Sequence, residues 1–157
     1  MPQRKIKGIM TKDVITASPE DSIKEVVRKL SKNGIGGLPV IDEEKKVLGI
    51  VTETDILKAL KTKSTKLSLV FPSSHALGMT FQETSDFREL KDAMNEVKNL
   101  HVNQIMSKDV ITVTPEATIA EVASIMAQNN INRIPVVKNN KLVGIVTRGD
   151  IIKGLSK

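Results

Sequence analysis

Hydrophobic positions along this chain fall into two series with the same spacing. Ile23, Val26, Val27 and Leu30 recur at the three- and four-residue intervals of one helix face, as do Ile119, Val122, Ala123 and Met126. Each series follows a Ser/Thr-x-x-Glu pair, Ser22 with Glu25 and Thr118 with Glu121, in which side chain and backbone satisfy each other at a helix start. Asn33-Gly34 and Asn129-Asn130 tolerate the left-handed conformation and predict where these helices stop. The period then changes. Residues 38–41 and 47–52, and later 134–137 and 142–147, are short β-rich runs joined by polar turns, which predicts two hairpins. A second short helix is expected to begin near Asp55 and again near Asp150.

The two series belong to one duplicated unit. Residues 9–41 (IMTKDVITASPEDSIKEVVRKLSKNGIGGLPVI) align without a gap on 105–137 (IMSKDVITVTPEATIAEVASIMAQNNINRIPVV), and about half the positions are identical. After a turn one residue shorter in the second copy, VLGIVTETDILK (47–58) matches LVGIVTRGDIIK (142–153). The unit reads as a strand-like lead-in, helix, hairpin, helix. One unit has an apolar sheet face that it cannot bury alone, and a second copy packed against it solves that problem. Repeat one is placed at 5–61, a connector at 62–100 and repeat two at 101–156.

The connector is less regular. Residues 58–66 are basic and Ser/Thr-rich, and 67–71 form a short apolar run stopped by Pro72. Asp86-x-x-Glu89 predicts a further helix start. Phe87, Leu90, Met94 and Val97 then follow at 3-4-3 spacing, a narrow seam. Two accounts of that seam stand: a helix packed on its own module, or a contribution to a dimer interface.

Composition narrows the chemistry. Of 157 residues 39 % are hydrophobic, enough for a packed interior. With no Cys, disulfides and thiolate metal sites are excluded, and His75 and His101 alone are poor material for a metal centre or an acid/base machine. They read as ordinary loop residues. Residues 1–8 are polar and basic, without the apolar core of a signal peptide, and no window is long enough to span a bilayer. The expectation is a soluble cytoplasmic protein. The net charge of +6 favours anionic partners. A nucleic-acid-binding regulator, using lysines 58, 61, 63 and 66, is the alternative reading. It is weakened by the absence of Trp and Tyr, since single-stranded platforms stack bases on aromatics. No nucleophile–base pair or paired carboxylates point to an enzyme.

The repeated signature Gly-Ile-Val-Thr-x-x-Asp carries the remaining chemistry: Gly49 to Asp55 and Gly144 to Asp150. A glycine inside a strand marks a bulge or a close backbone approach. Thr and Asp at a helix N-terminus can converge on one ligand, where amide groups favour phosphate and a carboxylate accepts ribose hydroxyls. Thr-x-x-Asp is also close to a capping box. The first helices use Glu at the reaching position while the second use the shorter Asp, which argues for a role beyond capping. Gly34, Gly36 and Gly37 follow a helix and lack the P-loop lysine, so they read as helix termination.

The order I-M-x-K-D-V-I-T, apolar-P-V-apolar and G-I-V-T-x-x-D, twice in one chain, resembles the CBS-domain family, named after cystathionine β-synthase. The resemblance covers roughly 5–61 and 101–156. It implies an α+β fold of two βαββα repeats packed as a pseudo-two-fold pair, commonly a disc-shaped homodimer of such modules. It also implies clefts between the repeats that bind AMP, ADP, ATP, S-adenosylmethionine or related ligands, with no required cofactor. By the same resemblance Asp55 and Asp150 bind ribose hydroxyls, and Thr52 and Thr147 hold ribose or phosphate. Thr16 with Ala17, and Thr112 with Val113, meet the adenine. Leu38-Pro39 and Ile134-Pro135 line the pocket with backbone and apolar surface. Arg133 faces phosphate where repeat one has Gly37, so the two clefts differ, and Arg148 is a second, weaker phosphate candidate. With no aromatic nearby, aliphatic side chains hold the base. Such a module acts on a separate effector protein or through its own oligomer.

Overall fold

A computed structural model describes residues 3–63 and 84–157. Repeat one supplies α1 (Ile23–Asn33), β1 (Gly37–Ile41), β2 (Val47–Thr52) and α2 (Glu53–Lys63). The connector contributes α3 (Thr84–Lys98), and α4 (Val102–Ile105) leads into repeat two. That repeat supplies α5 (Ile119–Asn129), β3 (Arg133–Lys138), β4 (Lys141–Thr147) and α6 (Arg148–Leu155). The apolar run at 67–71, Pro72, His75 and Lys66 lie outside the described residues. Among those described, no helix is long and apolar enough to cross a membrane.

Local chemistry sets the ends of the elements. The Glu25 N–H donates to Ser22 Oγ at 3.2 Å and the Glu121 N–H to Thr118 Oγ1 at 3.1 Å, so α1 and α5 begin on the expected boxes. Both helices stop on left-handed residues, Gly34 at φ 61° and Asn130 at φ 53°. In the first hairpin turn, the Asp42 carboxylate accepts from the N–H groups of Glu44 and Lys46. The second closes through Asn139-Asn140, both at positive φ, the two-residue turn that Asn favours and the reason this loop is shorter.

Each hairpin is a two-stranded antiparallel sheet. The lead-in segments, expected to be strand-like, add only a single parallel bridge apiece, Ala17 to Val40 and Val113 to Val136. Pro19 and Pro115, two residues further on, have no N–H to extend a ladder.

The repeats exchange their openings. The Ile6 N–H donates to the Ala117 carbonyl and the Ile119 N–H to Arg4 O, both at 2.9 Å. In the mirror arrangement, the Val102 N–H donates to Asp21 O at 2.8 Å and the Ile23 N–H to Leu100 O at 2.9 Å. Thr11 and Ile145 exchange a pair of backbone bonds at 2.9 Å, and Ser107 and Ile50 do the same. Ile6, fully buried, therefore completes the repeat-two core with Ile119, Val122, Ile134, Val136 and Val146. Val102 completes the repeat-one core with Ile23, Val26, Leu38, Val40 and Val51.

This exchange accounts for the strand glycines. A Cβ on Gly49 would sit 2.7 Å from Met106 Sδ and 2.8 Å from the Ser107 carbonyl oxygen. One on Gly144 would sit 2.7 Å from Met10 Sδ and 3.0 Å from Thr11 O. Each glycine also lies beside a register slip, between Val40 and Ile41 or between Val136 and Val137. Both expected features, bulge and close approach, are present.

The connector helix packs against α1 and α2. Its buried line is Leu90, Ala93 and Val97, while Phe87 and Met94 are 46 % and 42 % exposed. The expected Phe87–Leu90–Met94–Val97 seam is thus split, because the small Ala93 lets α3 approach along a line rotated away from Phe87 and Met94. The helix starts at Thr84, two residues before the expected cap. His101, expected to be an ordinary loop residue, joins the exchange: it bridges to Ser22 and its Nδ1 donates to the Glu20 carbonyl at 2.8 Å.

Overpacking a tight contact costs about 1–3 kcal/mol, so Gly49→Ala and Gly144→Ala should each lower stability by that amount in urea denaturation. Ile6→Ala, which empties a fully buried site in the opposite repeat, should cost about 2–5 kcal/mol in the same measurement. The N-terminal strap also carries a pH signature. Lys5 and Lys7, the latter at 3.1 Å, hydrogen-bond the Glu116 carboxylate and hold its pKa below the ordinary range. A depressed carboxylate stabilises at neutral pH and loses that contribution as pH falls from about 4.3, the ordinary glutamate value, through its lower folded value. The melting-temperature difference between wild type and Glu116→Gln should therefore shrink below that pH. Because the carboxylate is exposed, it should also shrink in high salt.

Candidate functional site

Both Thr-x-x-Asp pairs cap their helices. The Thr147 N–H donates to Asp150 Oδ2 at 2.9 Å and the Asp150 N–H to Thr147 Oγ1 at 3.3 Å. Thr52 and Asp55 repeat this geometry at 2.9 and 3.3 Å, with the Thr52 hydroxyl also donating to Asp55 Oδ2. The capping half of the expected role is thus present: the extended backbone at Thr147 brings its N–H within reach of the shorter carboxylate. In both aspartates only Oδ2 is engaged. Oδ1 has no hydrogen bond among the described residues, and both side chains are partly exposed.

A cavity of about 320 Å³ opens between the repeats. Repeat one lines it with Thr11, Asp13, Val14 and Ile15 from its lead-in and with Gly34 to Gly37 after α1; repeat two contributes Arg133, Ile145 and Thr147. Thr11 is placed there by its backbone pair with Ile145, so the exchange that joins the repeats also builds this wall. Val14, Ile15 and Ile145 supply aliphatic surface.

Arg133 dominates the polar side. It is the first residue of β3, and its guanidinium lies across the backbone of Gly36 and Gly37. A Cβ on Gly37 would come within 2.1 Å of Nη1, and one on Gly36 within 2.9 Å of Nη2. Gly36, expected only to terminate a helix, and Gly37, expected also in a cleft, thus form the floor on which this side chain rests. Gly37 and Arg133, expected at equivalent points of two differing clefts, both line this cavity, because the pseudo-two-fold sets the starts of β1 and β3 side by side. Burial lowers the Arg133 pKa most, the Arg148 charge lowers it further, and Glu53 opposes both. The Arg133 side chain has no hydrogen bond or ion pair among the described residues. A half-buried guanidinium without a partner is costly unless an anion completes it.

Other expected site residues are placed differently. Leu38 and Ile134 are fully buried in the two cores and do not line this cavity, because strand alternation turns them inward. The carbonyls of Pro39 and Pro135 accept from the N–H groups of Ala17 and Val113, so these four residues carry the lead-in bridges. Thr16 is partly buried beside Ile15, and its carbonyl accepts from Lys29 Nζ at 2.7 Å. Thr112 and Arg148 are exposed. Thr11, Asp13 and Gly36 are not among the expected site residues. For Thr11 and Asp13 the one signal in the sequence is the repeated I-M-x-K-D motif, whose partner surface only the exchange reveals.

The described lysines of the nucleic-acid alternative, Lys58, Lys61 and Lys63, are exposed on α2, and Lys63 pairs with Glu96 at 3.4 Å.

The CBS domain family model matches residues 6–62 and 102–157. Protein MJ1426 of Methanocaldococcus jannaschii is 37 % identical over 154 residues, covering 96 % of this chain and 90 % of that protein. An inosine-5'-monophosphate dehydrogenase of the same organism is 30 % identical over 96 % of this chain, which spans only 23 % of that enzyme. Among solved structures, the CBS domain pair of protein MJ0100, in complex with 5-methylthioadenosine and S-adenosyl-L-methionine, superposes with a TM-score of 0.71. It shares 29 % identity and is covered over 98 % of its length by 99 % of this chain. Two family matches on a duplicated unit, and a solved pair that superposes over nearly the whole length, place this chain in the CBS-domain family as a tandem pair.

Proposed function

We propose that the cavity between the repeats binds an adenosine ligand carrying phosphate, and that the occupied module regulates an effector protein. The observation that carries this reading is the unpartnered, half-buried Arg133 on its glycine floor. Arginine recognises phosphate by paired N–H donors, and the absence of side chains at Gly36 and Gly37 leaves that approach open. Thr147 lines the same space. Asp150, which caps the same helix start without lining the cavity itself, keeps its Oδ1 free, and that oxygen is the proposed acceptor for ribose hydroxyls. Val14, Ile15 and Ile145 offer an aliphatic clamp for the base. The volume, about 320 Å³, is at the small end of ligand sites and suits a nucleoside monophosphate better than a triphosphate. AMP is therefore the favoured ligand, and the adenosyl compounds bound by the MJ0100 pair support the adenosine part of the reading.

A homodimer is part of the same proposal. Leu57 and Ile152, at equivalent positions of α2 and α6, are 59 % and 61 % exposed, and Leu155 is 71 % exposed. Apolar positions left bare at matching places in both repeats suit a two-fold partner. Analytical ultracentrifugation should find the dimer mass, and Leu57→Glu with Ile152→Glu should shift it to the monomer.

Isothermal titration calorimetry with adenosine, AMP, ADP, ATP and S-adenosylmethionine tests the ligand. AMP should bind, and Arg133→Gln should weaken it about 10- to 100-fold, the range for losing a charge-assisted contact. Asp150→Asn keeps a capping oxygen and should weaken AMP and adenosine alike. No binding of any of these compounds to folded protein would sink the proposal.

A further inference from the structure

Arg133 has a neighbour that the ligand reading does not use. The point where a Cβ on Gly36 would stand is 2.6 Å from Glu53 Oε1 and 2.9 Å from Arg133 Nη2, so carboxylate and guanidinium face each other across a residue without a side chain. They stop short of an ion pair: Arg133 has none among the described residues. Glu53 lies on the other side of the Gly34–Gly36 backbone, on the wall of the groove between α1 and α2. Its position is also informative. Glu53 follows the Thr of the first Thr-x-x-Asp signature, where Arg148 follows the Thr of the second. The two repeats thus bring opposite charges to Arg133, Glu53 from repeat one and Arg148 from repeat two, while Asp13 of repeat one lines the same cavity as Arg133.

We propose that Glu53 is a positioning residue that acts through Arg133, a resident counter-charge that sets how strongly the cavity rewards ligand phosphate. With Glu53 ionised, the guanidinium is already partly neutralised, and a phosphate entering the cavity competes for it. Removing the carboxylate leaves Arg133 wholly to the ligand. The inference rests on the adenosine-phosphate reading of the same cavity. It differs from a purely structural role for Glu53, which sits in the first turn of α2 and interacts favourably with the helix N-terminus. That role would change stability and would leave the discrimination between ligands alone.

The test is a double-mutant cycle by calorimetry with adenosine and AMP. Glu53→Gln should tighten AMP about three- to tenfold, the size expected of one unit charge acting across partly screened space. Adenosine affinity should stay within about twofold, so the step from adenosine to AMP steepens. Glu53→Asp should restore the wild-type ratio. In an Arg133→Gln background the gain from Glu53→Gln should vanish. A gain that persists there would mean that Glu53 acts on the phosphate directly, and equal shifts for adenosine and AMP would mean a general change in the cavity; either overturns the inference. If wild type binds neither compound, the ligand reading falls and takes this inference with it. If wild type binds AMP and the cycle shows no coupling, the inference alone falls.

Discussion

Met10 reaches repeat two because Gly144 has no side chain, and Met106 reaches repeat one because Gly49 has none. Around these two contacts the chain makes its paired backbone bonds, Thr11 with Ile145 and Ser107 with Ile50. The consequence is that neither repeat is a self-contained folding unit. Ile6 fills the core of the second repeat and Val102 that of the first, each fully buried in a cluster built mainly by the other copy, with Val97 of α3 joining the first. Removing either opening segment would expose apolar surface in the opposite repeat.

The same exchange makes the cavity. The backbone from Thr11 to Ile15 runs along the second hairpin before returning to its own repeat, where Ala17 bridges to Val40. It therefore forms a wall facing Arg133 and Thr147, which the other repeat supplies. Duplication followed by exchange yields a composite site in which the halves are free to differ. Gly37 and Arg133 stand at equivalent sequence positions, and so do Glu53 and Arg148. Each pair places opposite or absent charge where strict symmetry would place the same. The Arg133 side chain occupies the space that the missing Cβ of Gly37 leaves open.

Much of the fold was legible in the chain because its determinants are local. Capping boxes at Ser22 and Thr118, left-handed stops at Gly34 and Asn130, and short β-rich runs bounded by polar turns fix helices and hairpins within a few residues. The duplication made the pairing of units legible as well. What was not legible depends on which surface meets which. Ala93 in place of Met94 on the buried line of α3 follows from how closely α3 can approach α1 and α2, and periodicity alone carries no such information. Leu38 and Ile134 were assigned to the pocket from a motif, but strand alternation turns them into the cores. Alignment sets Arg133 and Gly37 in parallel, as equivalent positions of two repeats, and carries no information on their contact. Only the two-fold packing shows that they touch.

The proposed site is a single composite of both repeats that holds its ligand through Arg133. A crystal structure with AMP is the decisive experiment. The phosphate should lie within hydrogen-bond reach of the Arg133 guanidinium above Gly36 and Gly37, with the ribose toward Thr147 and Asp150 and the base against Ile15. AMP bound wholly within one repeat, or with its phosphate turned away from Arg133, would contradict it.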